Sequence, residues 1–155
     1  MKLARHGLAV ESAPGWEVRI RRRPADPEEP GARPRPVLHA ATVPLPEERG
    51  DYGSNVTPLL GPQDVFLCLF EHEPAAAATP LFSSRGRPRL TAAEFRPEAL
   101  QRTIPGQSGV QHFFSENGRA FCLFVVLGSH ARRAELVRKA NAVLLTLDVD
   151  AGESA

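Results

Sequence analysis

The residues of this chain able to do chemistry fall into a few groups. His39, His72, His112 and His130, with Glu71 and Glu73, are the imidazole and carboxylate groups a metal ion would use. None of them pairs at a ligand spacing. In Glu71-His-Glu73, at the end of an apolar run, strand alternation sends the two carboxylates to one side and the imidazole to the other, so the triplet reads as a polar strand end. Cys122 and His112 form the one conceivable nucleophile and base, but Phe121, Leu123 and Phe124 give the thiol apolar neighbours where activation needs an electropositive, partly open setting. Ser129 and His130 are adjacent at the expected start of a helix, where the hydroxyl serves as N-cap and the two side chains diverge.

Two further groups suit binding. Arg19-Ile-Arg-Arg-Arg23, with Arg33 and Arg35 close behind, is the strongest basic feature; Asp26, Glu28 and Glu29 dilute it, and no aromatic residues interleave for base stacking. Gln101-Arg-Thr-Ile-Pro-Gly-Gln-Ser-Gly109 is a polar, glycine-bearing loop leading into a hairpin, the kind of place where a rigid scaffold displays binding groups. There Arg102, Gln107 and Gln111 are expected to converge with Arg119 across the hairpin on an anionic group. No glycine-rich phosphate loop precedes a helix beyond the lone Gly128, and Arg132 and Arg133 are the outer face of the first helical turns.

The composition bounds what can surround these groups. A chain of 155 residues, 42% hydrophobic, can bury one substantial core, so one domain over residues 1–149 is expected, with a frayed tail at 150–155. Nineteen basic residues against 18 acidic ones leave a formal charge of +1, so no overall field favours nucleic acid or an anionic membrane. The bias to 17 arginines over 2 lysines, with abundant alanine, reads as high-GC bacterial coding. Met1 to Val10 gives way to Glu11 and Ser12 before any apolar run of secretory length, and Ala120 to Leu127 is about half a membrane span. A cytoplasmic location follows as the expectation. Cys68 and Cys122 lie inside apolar runs and read as buried thiols; a disulfide between them needs neighbouring strands and an oxidising compartment.

The elements that must position these residues can be read from periodicity. Lys2 to Val10 alternates as a strand, and Pro14-Gly15 turns it toward Trp16-Glu-Val-Arg-Ile20, giving a hairpin with one buried face. Arg21 to Pro36, with five prolines, reads as a long exposed loop without a regular ladder. Val37 to Val43 is a strand, Thr57 to Pro62 at most one helical turn, and Asp64 to Glu71, apolar on both faces, a central strand. From Pro74 to Gly109 the chain is irregular, with one capping box at Thr91-Ala-Ala-Glu94. Val110 to Phe114 and Arg119 to Leu127 flank Asn117-Gly118, the strongest short hairpin signal, since both residues tolerate positive φ. Leu136, Val137, Ala140, Val143 and Leu144 then form the apolar stripe of a helix, and Leu145 to Val149 a last short strand.

The order of these elements, from a hairpin ending in Pro14-Gly-Trp-Glu17 through Arg119-Ala-Phe-Cys-Leu-Phe124 to an amphipathic helix and a last strand, resembles the Mog1/PsbP-like superfamily. Within it, the pattern is similar to small actinobacterial proteins related to the LpqN-type lipoproteins. The resemblance covers most of the chain and implies an α+β fold, an α/β/α sandwich around a central antiparallel β-sheet, used as a noncatalytic binding or accessory module. The chain departs from the lipoproteins in lacking a signal peptide and lipidation cysteine, and in its proline-rich insertions. The expected function is therefore a protein-interaction module with a protein partner, no cofactor, no metal and no catalysis. Two alternatives stand beside it: a pocket for an anionic small molecule, or an enzyme site, between sheet and loops, and a structural subunit of a larger assembly.

Overall fold

The computed structural model describes residues 2–25, 27–28 and 30–150. The chain is a mixed α/β protein with two antiparallel sheets and one α-helix among the described residues. The larger sheet has five strands in the order β3-β4-β5-β7-β6: β3 (Glu17–Arg23), β4 (Arg35–Ala41), β5 (Val65–Glu71), β7 (Arg119–Leu127) and β6 (Ser108–Glu116). The smaller has β1 (Lys2–Arg5), β2 (Leu8–Glu11) and β8 (Asp148–Val149), in the order β1-β2-β8.

The apolar content of β5 and β7 explains their central places. Every position of β7 is buried, as are six of the seven of β5, because both faces of these strands are covered. On one face Leu67, Leu69, Leu123 and Val125 pack under Leu136, Ala140 and Val143 of α1 (Arg133–Leu144) and under Leu8, Val10 and Val149 of the small sheet. On the other, Phe66, Cys68, Phe70, Cys122, Phe124 and Val126 are covered by Leu45, Val56 and Leu60 of the connection after β4, with Tyr52 and Leu100 at its margin. The β6–β7 hairpin turns at Asn117 and Gly118, with φ of 52° and 75° as the Asn-Gly pair requires. The capping box also forms: the Glu94 carboxylate accepts the Thr91 N–H at 2.6 Å ahead of a single 3-10 turn, Ala92–Glu94.

Four expectations change. Lys2 to Val10 is not one strand paired with β3 but a hairpin in itself. His6 and Gly7, with φ of 53° and 77°, close a two-residue turn, and Leu3 pairs with Val10. The apolar positions shift from odd to even between Leu3 and Leu8, as a turn demands. Next, β3 pairs with β4, and the ladder runs into the supposed loop through Arg22↔Pro36 to Arg23↔Arg35. Thr42 N–H donates to Val65 O, so Thr42, Ala40, Leu38 and, by alternation, Pro36 turn their backbone groups to the β5 side. The β4–β5 register starts only at Val37↔Phe70, so Pro36 has no donor to lose there. Third, α1 begins at Arg133, not Ser129; the Ser129 hydroxyl accepts the Arg132 N–H at 3.3 Å and caps the turn before the helix. Last, Asp150 is not frayed: its N–H donates to Gly7 O and its carbonyl accepts from Arg119. The remainder of the expected tail, 151–155, lies outside the described residues. Among the described residues no helix is long and apolar enough to cross a membrane.

Candidate functional site

The four residues expected to converge are kept apart by the β6–β7 register. Gln107 sits before Ser108, which pairs with Leu127, whereas Arg119 pairs with Glu116 at the opposite end of the hairpin, eight residue steps or about 26 Å along the strand. Gln107 is buried and donates through Nε2 to Thr57 O at 2.8 Å. Gln111 is exposed midway, its amide donating to Cys122 Sγ at 3.2 Å, and Arg102 is exposed in the loop. Arg119 is buried, and four of its five N–H donors are bonded. Its Nε and Nη2 each donate to the Glu71 carboxylate at 2.8 Å, and Nη1 donates to Gly7 O and Asp150 O at 3.0 Å each. The guanidinium also lies 5.2 Å from the Phe121 ring centre. This side chain fastens the two sheets together.

The groups suited to catalysis are likewise occupied or separated. Cys122 pairs with Phe113 and His112 with Leu123, so alternation puts thiol and imidazole on opposite faces. His112 bonds the Glu94 carboxylate through Nε2, while His72 packs beside Phe82. Glu71 is taken by Arg119, and no cluster of three metal-ligating side chains exists among the described residues. Cys68 and Cys122 lie on neighbouring strands, both free and both buried. Burial pushes both thiols up from their ordinary range. Neither should react with Ellman's reagent in the native protein, and both should do so once urea unfolds it; fast native labelling would contradict their placement.

Unspent charge gathers at one end of the large sheet. Arg23 of β3 stands directly opposite Arg35 of β4, a like-charge pair that destabilises a ladder on its own. Arg5, Arg22 and Arg35 make no ion pair among the described residues, and Arg23 reaches Asp51 only at 3.9 Å, a carboxylate already bonded to Arg21 at 2.9 Å. His6 in the β1–β2 turn is pushed below its ordinary value by burial, then by the charges of Arg22 and Arg5. His72 is lowered by burial, against the Glu73 carboxylate that raises it, with smaller lowering contributions from Arg23 and Arg35. No family model, curated protein or solved structure matches the chain.

The loop carrying Asp51 is anchored by His39, which is fully buried in β4. Arg49 Nε donates to His39 Nδ1 at 2.7 Å, so Nδ1 must be the acceptor and Nε2–H the donor to Asp51 O at 2.9 Å. Burial holds the pKa down to about 4, with Arg49 and Arg21 adding to the fall. The unfolded chain binds a proton near pH 6.5 that the native one refuses. Stability is therefore complete above about pH 6.5 and drops by about 3 kcal/mol as pH falls to about 4. Imidazole shifts followed by NMR should show His39 neutral at pH 5; titration near 6.5 would remove this account.

A cleft of about 720 Å³ lies elsewhere, between the 3-10 segment after β5 and the β6–β7 turn. Thr79, Phe82, Arg85, Ser115 and Asn117 contribute to its walls, and none of the four expected binding residues does. The sequence pointed to the arginines of this sheet end but not to their arrangement. Strand pairing brings Arg35 beside Arg23, and the β1–β2 turn adds Arg5 and His6.

Proposed function

We propose that the chain is a noncatalytic protein-interaction module of the cytoplasm, built as a Mog1/PsbP-like α/β/α sandwich, and that its partner presents an acidic surface to the arginine end of β3 and β4. The observation that carries this reading is the like-charge set Arg5, Arg22, Arg23 and Arg35, of which Arg23 alone has an ion pair among the described residues, a long one of 3.9 Å to Asp51, on a chain whose net charge is only +1. Cations that the protein leaves unneutralised at adjacent positions favour an anionic partner and speed its encounter. The engaged state of Arg119, Glu71, His39 and both thiols supports a role without catalysis.

The test is capture from native lysate with the wild type and with Arg22→Glu, Arg23→Glu and Arg35→Glu combined. The partner should be lost with the triple variant while the melting temperature holds, and wild-type capture should weaken as salt rises. Equal capture by both proteins would sink the proposal. A second reading, a small anionic ligand, is favoured by the cleft beside Arg85. Such a ligand would raise the melting temperature in a metabolite screen, and Arg85→Ala would abolish the rise.

A further inference from the structure

The two edges of the five-stranded sheet are treated differently. On β6 the outer edge is occupied at both ends by the chain's own backbone. Arg96 and Gly109 exchange two hydrogen bonds of 3.0 Å, and Ser115 N–H donates to Ser84 O at 2.8 Å while its carbonyl accepts from Gly86 N–H at 2.7 Å. On β3 no such cover exists among the described residues. Because Ala41, His39, Val37 and Arg35 direct their backbone groups to β3, the ladder uses Glu17, Arg19, Arg21 and Arg23. The N–H and C=O groups of Val18, Ile20 and Arg22 therefore point outward. Among the described residues the one bond to that row is local, from Arg19 Nη1 to Val18 O at 3.1 Å.

We infer that β3 accepts an extended acidic segment of the partner as a sixth strand, paired to the outward row of Val18, Ile20 and Arg22; this rests on the acidic-partner reading above. The side chains of β3 define what such a strand must carry. Arg19, Arg21 and Arg23 share one face; Arg19 is paired with Glu17 at 2.6 Å and Arg21 with Asp51 at 2.9 Å, whereas Arg23, 53% exposed and 3.9 Å from Asp51, stands beside Arg35, so a partner's carboxylates would join this face most strongly at the Arg23 end. On the other face Val18 and Ile20 join the core, with Leu3 and Trp16 partly buried beside it, so the intervening residues should be apolar. Main-chain bonds would give affinity and this alternation specificity. Charged side chains also guard an open edge against self-association, and the test separates the two roles.

The probe is a blocked octapeptide of alternating glutamate and valine, followed by fluorescence anisotropy on the whole chain. It should bind, and a lysine-valine peptide should not. Two N-methylated versions, one at every glutamate and one at every valine, should differ: only alternate amides face β3, so one version binds and the other fails. On the protein side, Arg22→Pro removes an outward donor that no ladder bond uses. It should bind about tenfold more weakly than Arg22→Ala, which removes the charge alone, since one lost bond is worth about 1.4 kcal/mol. Equal binding of both N-methylated peptides to the wild type would overturn strand addition and leave the acidic-partner reading in place. Failure of the parent peptide would overturn strand addition too, and the lysate capture with the triple charge reversal then judges the partner reading separately.

Discussion

Arg119→Ala should lower the melting temperature by roughly 6–20 °C, taking about 3–5 kcal/mol for a broken buried ion pair and 2–4 °C per kcal/mol for a chain of this size. The size follows from what the truncation leaves behind. Glu71, whose side chain is 11% exposed, would keep a charge without its cation, and the carbonyls of Gly7 and Asp150 would lose their donor. Arg119→Ala combined with Glu71→Ala should recover a large part of the loss, because the stranded carboxylate is then gone. Hydrogen exchange should quicken first at Leu8 and Val10, in the sheet the guanidinium tethers. A shift under about 2 °C would show the pair to be dispensable.

The second large effect is expected at a position with no side chain. A Cβ built on Gly128 would lie 1.8 Å from Gly61 O, 2.9 Å from the carbonyl carbon of Gly61 and 3.1 Å from Asp64 O. All three are backbone atoms, which cannot swing aside as a side chain can. The turn they belong to is tightly bonded: Asp64 Oδ2 accepts the Gly61 N–H at 2.8 Å, Oδ1 accepts the Thr42 hydroxyl at 2.8 Å, and Thr42 Oγ1 accepts the Val65 N–H at 3.0 Å. Gly128→Ala must displace this set and should cost about 3 kcal/mol or more. Gly118→Ala makes a useful contrast, since its surroundings are open and only its φ of 75° is at stake. That change should cost about 1–2 kcal/mol. Urea midpoints that rank the two in the opposite order would refute the close-approach argument.

What the sequence made legible was local. The Asn117-Gly118 hairpin, the Thr91 capping box, the doubly apolar β5 and the stripe of α1 each depend on residues within a few positions of one another, and each formed. The turn at His6-Gly7 was also written locally, in the phase shift between Leu3 and Leu8, but Pro14-Gly15 offered a louder turn signal nearby. The site was harder to read for a different reason. Arg119 is expected to join Arg102, Gln107 and Gln111 across the hairpin, yet its partners Gly7, Glu71 and Asp150 lie 112, 48 and 31 residues away. His39 drew attention as a possible ligand, and only the folded loop brings Arg49 and Asp51 against it. An open sheet edge is a property of strand order, which no window of residues contains.

The small sheet joins the first strands of the described chain to its last, with Leu8 paired to Val149 and Ala9 to Asp148. On a ribosome adding about 5–20 residues per second, β2 therefore waits several seconds or more for its neighbour. Meanwhile Leu8 and Val10, almost wholly buried in the finished molecule, must stay in water or under a chaperone. The five-stranded sheet has all its strands once Leu127 has emerged, but α1 and β8 follow it and cover the same face. Closure of the core thus waits for Val149, and a stall before it would leave a largely paired sheet with a bare apolar flank.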